Sequence, residues 1–146
     1  MQIRRHAVEA AYAQPLTEEL LDASGIGPGM RVLVLGPRLA DISLLIAERV
    51  GPHGCVIAAH EDPQTVARAQ RSAIEEGFAQ VSFQAEPLER VRLDARVDAV
   101  VGRFVLMHEE DPVRAIRRAA SYAHDGGRIV FQEWHYDSVL WDETSD

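Results

Sequence analysis

VLVLGPRLADISLLIAERVGPHGCVIAA, residues 32–59, is the stretch on which the fold turns. Val32-Leu33-Val34-Leu35 is a continuous apolar run of strand length. A strand buried on both faces reads this way, as the inner strand of a parallel sheet does. Leu39, Ile42, Leu45, Ile46 and Val50 then recur at helical spacing until Gly51-Pro52 stops them. Cys55-Val56-Ile57-Ala58-Ala59 is a second strand. Strand, helix, strand in this order predicts one right-handed crossover unit.

The same alternation continues toward the C-terminus. Asp62-Pro63 opens a helix, since Asp caps free amides and Pro suits the first helical position. Val66, Ala69, Ala73 and Ile74 are its predicted inward face, and Gly77 closes it. Val81-Ser82-Phe83 and Val97 to Val101 read as strands. Asp111-Pro112 repeats the helix-opening signal, with Val113, Ile116 and Ala120 predicted inward. Gly126-Gly127 precedes a last strand, Ile129-Val130-Phe131. Upstream, Val8, Ala11 and Tyr12 mark a helical arm over residues 1–14, and Thr17 to Gly25 frames a second, short helix with Thr17 as its N-cap. The expected fold is α/β: a Rossmann-like open parallel sheet of about five strands with helices on both faces.

Composition bounds the rest. The 146 residues make a single domain, divided into an arm (1–29), an alternating core (30–133) and an apolar tail (134–146). The net charge of −8 disfavours nucleic acid as a partner. All 15 basic residues are Arg, which excludes a lysine Schiff base or a P-loop lysine. Cys55 is the single cysteine, so neither an intrachain disulfide nor a zinc-cysteine cluster is expected, and the predicted location is cytoplasmic. No apolar run approaches membrane-spanning length, and no pair of the six histidines has metal-ligand spacing on one helix. No membrane partner and no metal are expected.

In an open parallel sheet, ligands bind outside the carboxyl ends of the strands. The candidate positions are therefore Gly36-Pro37-Arg38-Leu39-Ala40-Asp41, His60-Glu61-Asp62, Gln84-Ala85-Glu86-Pro87 and Gly102-Arg103-Phe104 running on to His108. At these positions the chain resembles the class I S-adenosylmethionine-dependent methyltransferases. The resemblance rests on Gly29 to Gly36, Asp41 to Leu45, Val97 to His108 and Asp125 to Val130, and covers about residues 16–135. It implies S-adenosylmethionine as cofactor and methyl transfer to a small-molecule acceptor. Gly36, Arg38, Ala40, His60, Glu61, Glu86, Pro87 and Arg103 are then the cofactor-binding positions.

Three positions depart from the family's pattern. Its first loop is Gly-x-Gly-x-Gly, where this chain has Gly36, Arg38 and Ala40. The expected consequence is a less open backbone. Arg38 is either a solvated loop residue or a partner for a ligand carboxylate. The acidic residue that holds both ribose hydroxyls in the family falls at His60, with Glu61 one residue later. The residue facing the adenine amino group falls at Pro87, preceded by Glu86. Losing the ribose pair weakens binding about tenfold to a hundredfold.

His108 is the candidate general base, against a plain packing role in the loop before a helix. Glu109, Glu110 and Asp111 read as an acidic helix entrance. Two functions stay open: a methyltransferase, or a methyltransferase-like pseudoenzyme or interaction subunit that has lost strong cofactor binding. The tail carries Trp134, Tyr136, Val139, Leu140 and Trp141. It is expected to cover the edge of the last strand, or to join two copies in a homodimer through residues 129–141. A fragment of a longer protein is the third reading.

Overall fold

The computed structural model describes residues 2–134, with side chains from Ala13 onward. Within that range the predicted alternation is borne out. The helices are α1 (Gln2–Ser24), α2 (Leu39–Val50), α3 (Pro63–Glu75) and α4 (Pro112–Tyr122). The strands are β1 (Arg31–Leu35), β2 (Cys55–Ala59), β3 (Val81–Gln84), β4 (Val97–Arg103) and β5 (Ala123–Gln132). All strands are parallel, in the order β3-β2-β1-β4-β5. The chain steps outward from β1 to β3, then returns to place β4 on the other side of β1. That reversal opens a crevice at the carboxyl ends of β1 and β4.

The core follows from the pleat of β1. Val32 and Val34 face α1, α2 and α3, packing with Leu21, Ile42, Ile46 and Ala69. Leu33 and Leu35 face the opposite way, onto Leu88, Ala115 and Ala119. The four side chains from Val32 to Leu35 are all buried, which is why the run lacks the polar alternation of a half-exposed strand. Each contributes roughly 1.5–3 kcal/mol by leaving water. The Asp-Pro openings also act as the sequence indicates. Asp62 Oδ1 accepts the Gln64 amide at 3.0 Å, and Asp111 Oδ1 accepts the Arg114 amide at 3.1 Å.

Four expectations need correction. The N-terminal segment is one continuous helix with Pro15 inside it, and Thr17 caps nothing. The Thr17 hydroxyl is buried, 2.8 Å from the Ala13 carbonyl and 2.5 Å from Gln132 Oε1. Ile74 lies outside the inward face of α3, at 75% exposure. On α4 the predicted face is the outer one: Val113, Ile116 and Ala120 are exposed, while Ala115, Ala119 and Tyr122 are buried. Both α4 stripes are apolar at helical spacing. The small side chains win the sheet side because they admit close packing, and the Tyr122 hydroxyl, donating to the Leu88 carbonyl at 2.5 Å, fixes the rotation. Finally, β5 begins at Ala123, before Gly126-Gly127, and a register shift against β4 absorbs the glycine pair as a bulge. The side chains of the helical arm (Val8, Ala11, Tyr12) and the tail from residue 135 lie outside the described residues. Among the described residues β5 is a sheet edge, and no helix is long and apolar enough to cross a membrane.

Where β1 and β4 end, their backbones meet. Gly36 has φ +130°, and a Cβ there would stand 2.2 Å from the Arg103 carbonyl oxygen. Only glycine tolerates both conditions. Gly36→Ala is expected to lose about 3 kcal/mol or more in urea unfolding. A loss under about 1 kcal/mol contradicts this reading of the approach.

At the opposite end of the sheet, Asp98 Oδ2 accepts the Arg31 amide at 2.7 Å, and Oδ1 lies 2.7 Å from His124 Nε2. The Arg31 amide first, then His124, holds the Asp98 carboxyl below its ordinary value. The Asp125 carbonyl first, then Asp98, raises His124. The His124 contribution is complete below about pH 6.5 and fades as pH rises through its raised folded value; that of Asp98 is complete above about pH 3.9 and fades in acid. The Tm advantage of the wild type over His124→Gln is therefore largest between about pH 4 and 6.5 and shrinks toward pH 9. A difference independent of pH contradicts the pairing.

Candidate functional site

The crevice is a cavity of about 490 Å³ at the ends of β1 to β4. Leu35, Gly36 and Pro37 enter from β1, and Ala59, His60 and Glu61 from β2. Glu86 to Glu89 enter from the loop after β3, and Phe104, Val105, His108 and Glu109 from the loop after β4. Of the sequence-predicted residues, Gly36, His60, Glu61, Glu86, Pro87 and His108 meet here. Arg38, Ala40 and Arg103 stand outside the lining.

Arg38 stands where the resemblance places the second glycine of the loop. It adopts the left-handed conformation itself, φ +54° and ψ +45°, immediately before α2. Its side chain turns onto Asp41, with Nε donating to Oδ2 at 2.7 Å. Arg38 thus takes the left-handed conformation that glycine favours, and it stands beside the cavity and not in its lining. Ala40 is in the first turn of α2, packed against the core.

His60 and Glu61 divide the work of the turn after β2. His60 Nδ1 accepts the Asp62 amide at 3.0 Å. In the neutral ring the proton then sits on Nε2, leaving His60 a donor at that nitrogen. Glu61 is exposed and has no hydrogen-bond or ion-pair partner among the described residues. The acceptor in this turn is therefore Glu61. On the next loop, Glu86 pairs loosely with Arg90 at 3.5 Å, and Pro87 begins a short 3₁₀ turn with no amide hydrogen to offer.

The electrostatics of the lining are negative. Glu61, Glu86, Glu89 and Glu109 all border the cavity. Burial first, then the Glu89 and Glu61 carboxylates, raises the Glu109 pKa from its ordinary value. Glu109 is thus part of the site, where the sequence reads as a helix entrance. A cavity with this charge favours a cationic ligand.

Arg103 points away from the cavity, under α1. It is 3% exposed, its Nη1 is 3.5 Å from the Thr17 hydroxyl, and its Nε has no partner among the described residues. Burial lowers its pKa, Asp41 opposes that shift and Arg38 adds to it. Phe104 follows, also left-handed at φ +57°, its amide donating to the Gln132 carbonyl at 2.8 Å. Its ring stacks on Trp134 with centroids 5.5 Å apart and planes within 7°. Phe104, a strand-end candidate in the sequence, does line the cavity, whereas sequence reasoning passed over Glu89 and Glu133 and took Trp134 only as part of the apolar tail. Applying the strand-end rule to β5 as well as to the first four strands finds Glu133 and Trp134.

The comparisons agree with this geometry. The profile of the family described as "Methyltransferase domain" matches residues 26–145. Aklanonic acid methyltransferase DauC of Streptomyces sp. (strain C5) is 32% identical over 121 residues, covering 82% of this chain and 55% of that protein. An uncharacterized 37.1 kDa protein in transposon TN4556 of Streptomyces fradiae is 30% identical, covering 84% of this chain and 35% of that protein. The chain thus spans about half the length, or less, of these relatives. A SAM-dependent methyltransferase from Aquifex aeolicus superposes with TM-score 0.75 at 21% identity, over 88% of this chain and 68% of that one. Coclaurine N-methyltransferase bound to N-methylheliamine and SAH gives 0.71 at 13%, over 80% and 34%. These two likenesses are of fold. With the family profile spanning the sheet, the crevice and all four loops around it, the chain belongs to the methyltransferase-domain family.

Proposed function

We propose that this domain binds S-adenosylmethionine in the cavity and transfers its methyl group to a small-molecule acceptor. The observation that carries the proposal is the convergence of Gly36, His60-Glu61, Glu86-Pro87 and Phe104-His108 on one cavity at the strand-order reversal. The residues fit the group. Leu35, Ala59, Leu88 and Val105 supply apolar wall for a flat base. Glu61 is a free acceptor pair for a ribose diol, and Glu86 takes the adenine side. The surrounding carboxylates suit a sulfonium cation. When bound, the cofactor supplies an electrophilic methyl group. The chain contributes alignment of the acceptor against that methyl, and His108, on the cavity wall, takes the acceptor's proton.

One carboxylate in this turn, displaced by one residue from the family's position, makes the anchorage weak. Calorimetric titration with S-adenosylmethionine and S-adenosylhomocysteine is expected to give a dissociation constant above about 100 μM, or about −5.5 kcal/mol. Glu61→Gln weakens it about tenfold, while His60→Ala changes it less than about twofold. A low-micromolar constant overturns the weak anchorage. No heat at millimolar ligand overturns the cofactor assignment itself.

We also propose a homodimer through residues 129–141. The support is the unpaired side of β5 among the described residues, and the apolar Tyr136, Val139, Leu140 and Trp141 that follow in the sequence. Light scattering is expected to find a species of twice the 16.2 kDa chain mass. A monomer at all concentrations contradicts it.

A further inference from the structure

The loop after β4 is held by a residue beyond the end of β5. Glu133 is half-buried, and its carboxylate accepts three consecutive backbone amides. Val105 and Leu106 donate to Oε1 at 3.1 and 2.9 Å, and Met107 donates to Oε2 at 3.3 Å. The next residue, Trp134, carries the Phe104 ring on its face. Phe104, Val105 and His108 all line the cavity. Residues 133 and 134 therefore grip the same wall at two points. That wall needs gripping, because Phe104 is a bulky residue in the left-handed region, a conformation that persists only where the surroundings impose it.

We propose that Glu133 is a positioning residue of the cavity: its carboxylate, seconded by Trp134 on Phe104, fixes the wall from Phe104 to His108 and thereby sets cofactor affinity and the place of His108. The chemistry calls for a carboxylate of this length. An ionised carboxylate has two oxygens that only accept, matching three amides that only donate. A glutamine at 133 has to turn an NH₂ group toward at least one of those amides. The ligand part of the inference rests on the cofactor reading above; the part concerning the wall does not.

The test uses the full chain in a Trp141→Phe background, so that Trp134 is the only tryptophan. Glu133→Gln is compared with its parent at a temperature where circular dichroism finds both folded. The expected result is a dissociation constant for S-adenosylhomocysteine raised about tenfold, together with a red-shifted Trp134 emission. A folded variant with the parent's affinity and emission overturns the proposal and leaves Glu133 a merely structural residue. If Glu133→Gln does not fold, amide exchange in the wild type decides. The Val105, Leu106 and Met107 amides are expected to exchange as slowly as those of β4, and exchange at the rate of an open loop overturns the proposal. If the wild type binds no S-adenosylhomocysteine, the cofactor reading fails, while the emission and exchange measurements still judge the wall.

Discussion

The rest of the structure depends on the contact between the Gly36 backbone and the Arg103 carbonyl. β1 and β4 are hydrogen-bonded neighbours up to the pair Leu35 and Gly102, and one residue later the two backbones touch with no room for a side chain. From that point the chains must part. One continues through Pro37 and Arg38 into α2, the other through Phe104 into the loop that bears His108. A cavity opens between these departures and the ends of β2 and β3 because the order of strands reverses there, leaving no crossover helix to fill the space.

The departures are held open at a cost in backbone strain. Arg38 and Phe104 are the described non-glycine residues with positive φ, and they stand on the two sides of the contact. Each left-handed residue costs on the order of 1 kcal/mol. The compensation is local in both cases. Asp41 receives the Arg38 guanidinium from within the first turn of α2. Phe104 is secured from β5, through the Gln132 carbonyl, the Trp134 ring and the Glu133 carboxylate on the following amides. The loop that closes the cavity is therefore as much a product of β5 as of β4.

Most of the fold was legible in the sequence because it rests on strong local signals. The Val32–Leu35 run has no polar alternation, and two Asp-Pro pairs cap helices as their chemistry requires. What failed was choice between local signals of equal strength. On α4, Val113-Ile116-Ala120 and Ala115-Ala119-Tyr122 are both helical stripes, and only the packing distance to the sheet selects the smaller one. Thr17 has the composition of a cap, but its hydroxyl finds the Ala13 carbonyl a turn back inside a continuous helix. The cavity positions that follow directly from strand ends were legible: Gly36, His60, Glu61, Glu86, Pro87 and His108. Glu133 was within reach of the same strand-end rule as a position, but its contact was not legible, since it appears only when β5 lies beside β4 and brings residue 133 against amides 26 to 28 positions away in sequence.

The central claim is that the strand-end cavity, shaped by the Gly36 contact and the loop after β4, is the ligand site of this domain. Amide hydrogen exchange, followed by mass spectrometry with and without saturating S-adenosylhomocysteine, tests it most directly. The account predicts added protection in peptides covering residues 36–39, 60–62, 86–89 and 104–109, with residues 63–75 of α3 unchanged. Protection confined to α3 or to the outer face of α4, or none anywhere, contradicts it.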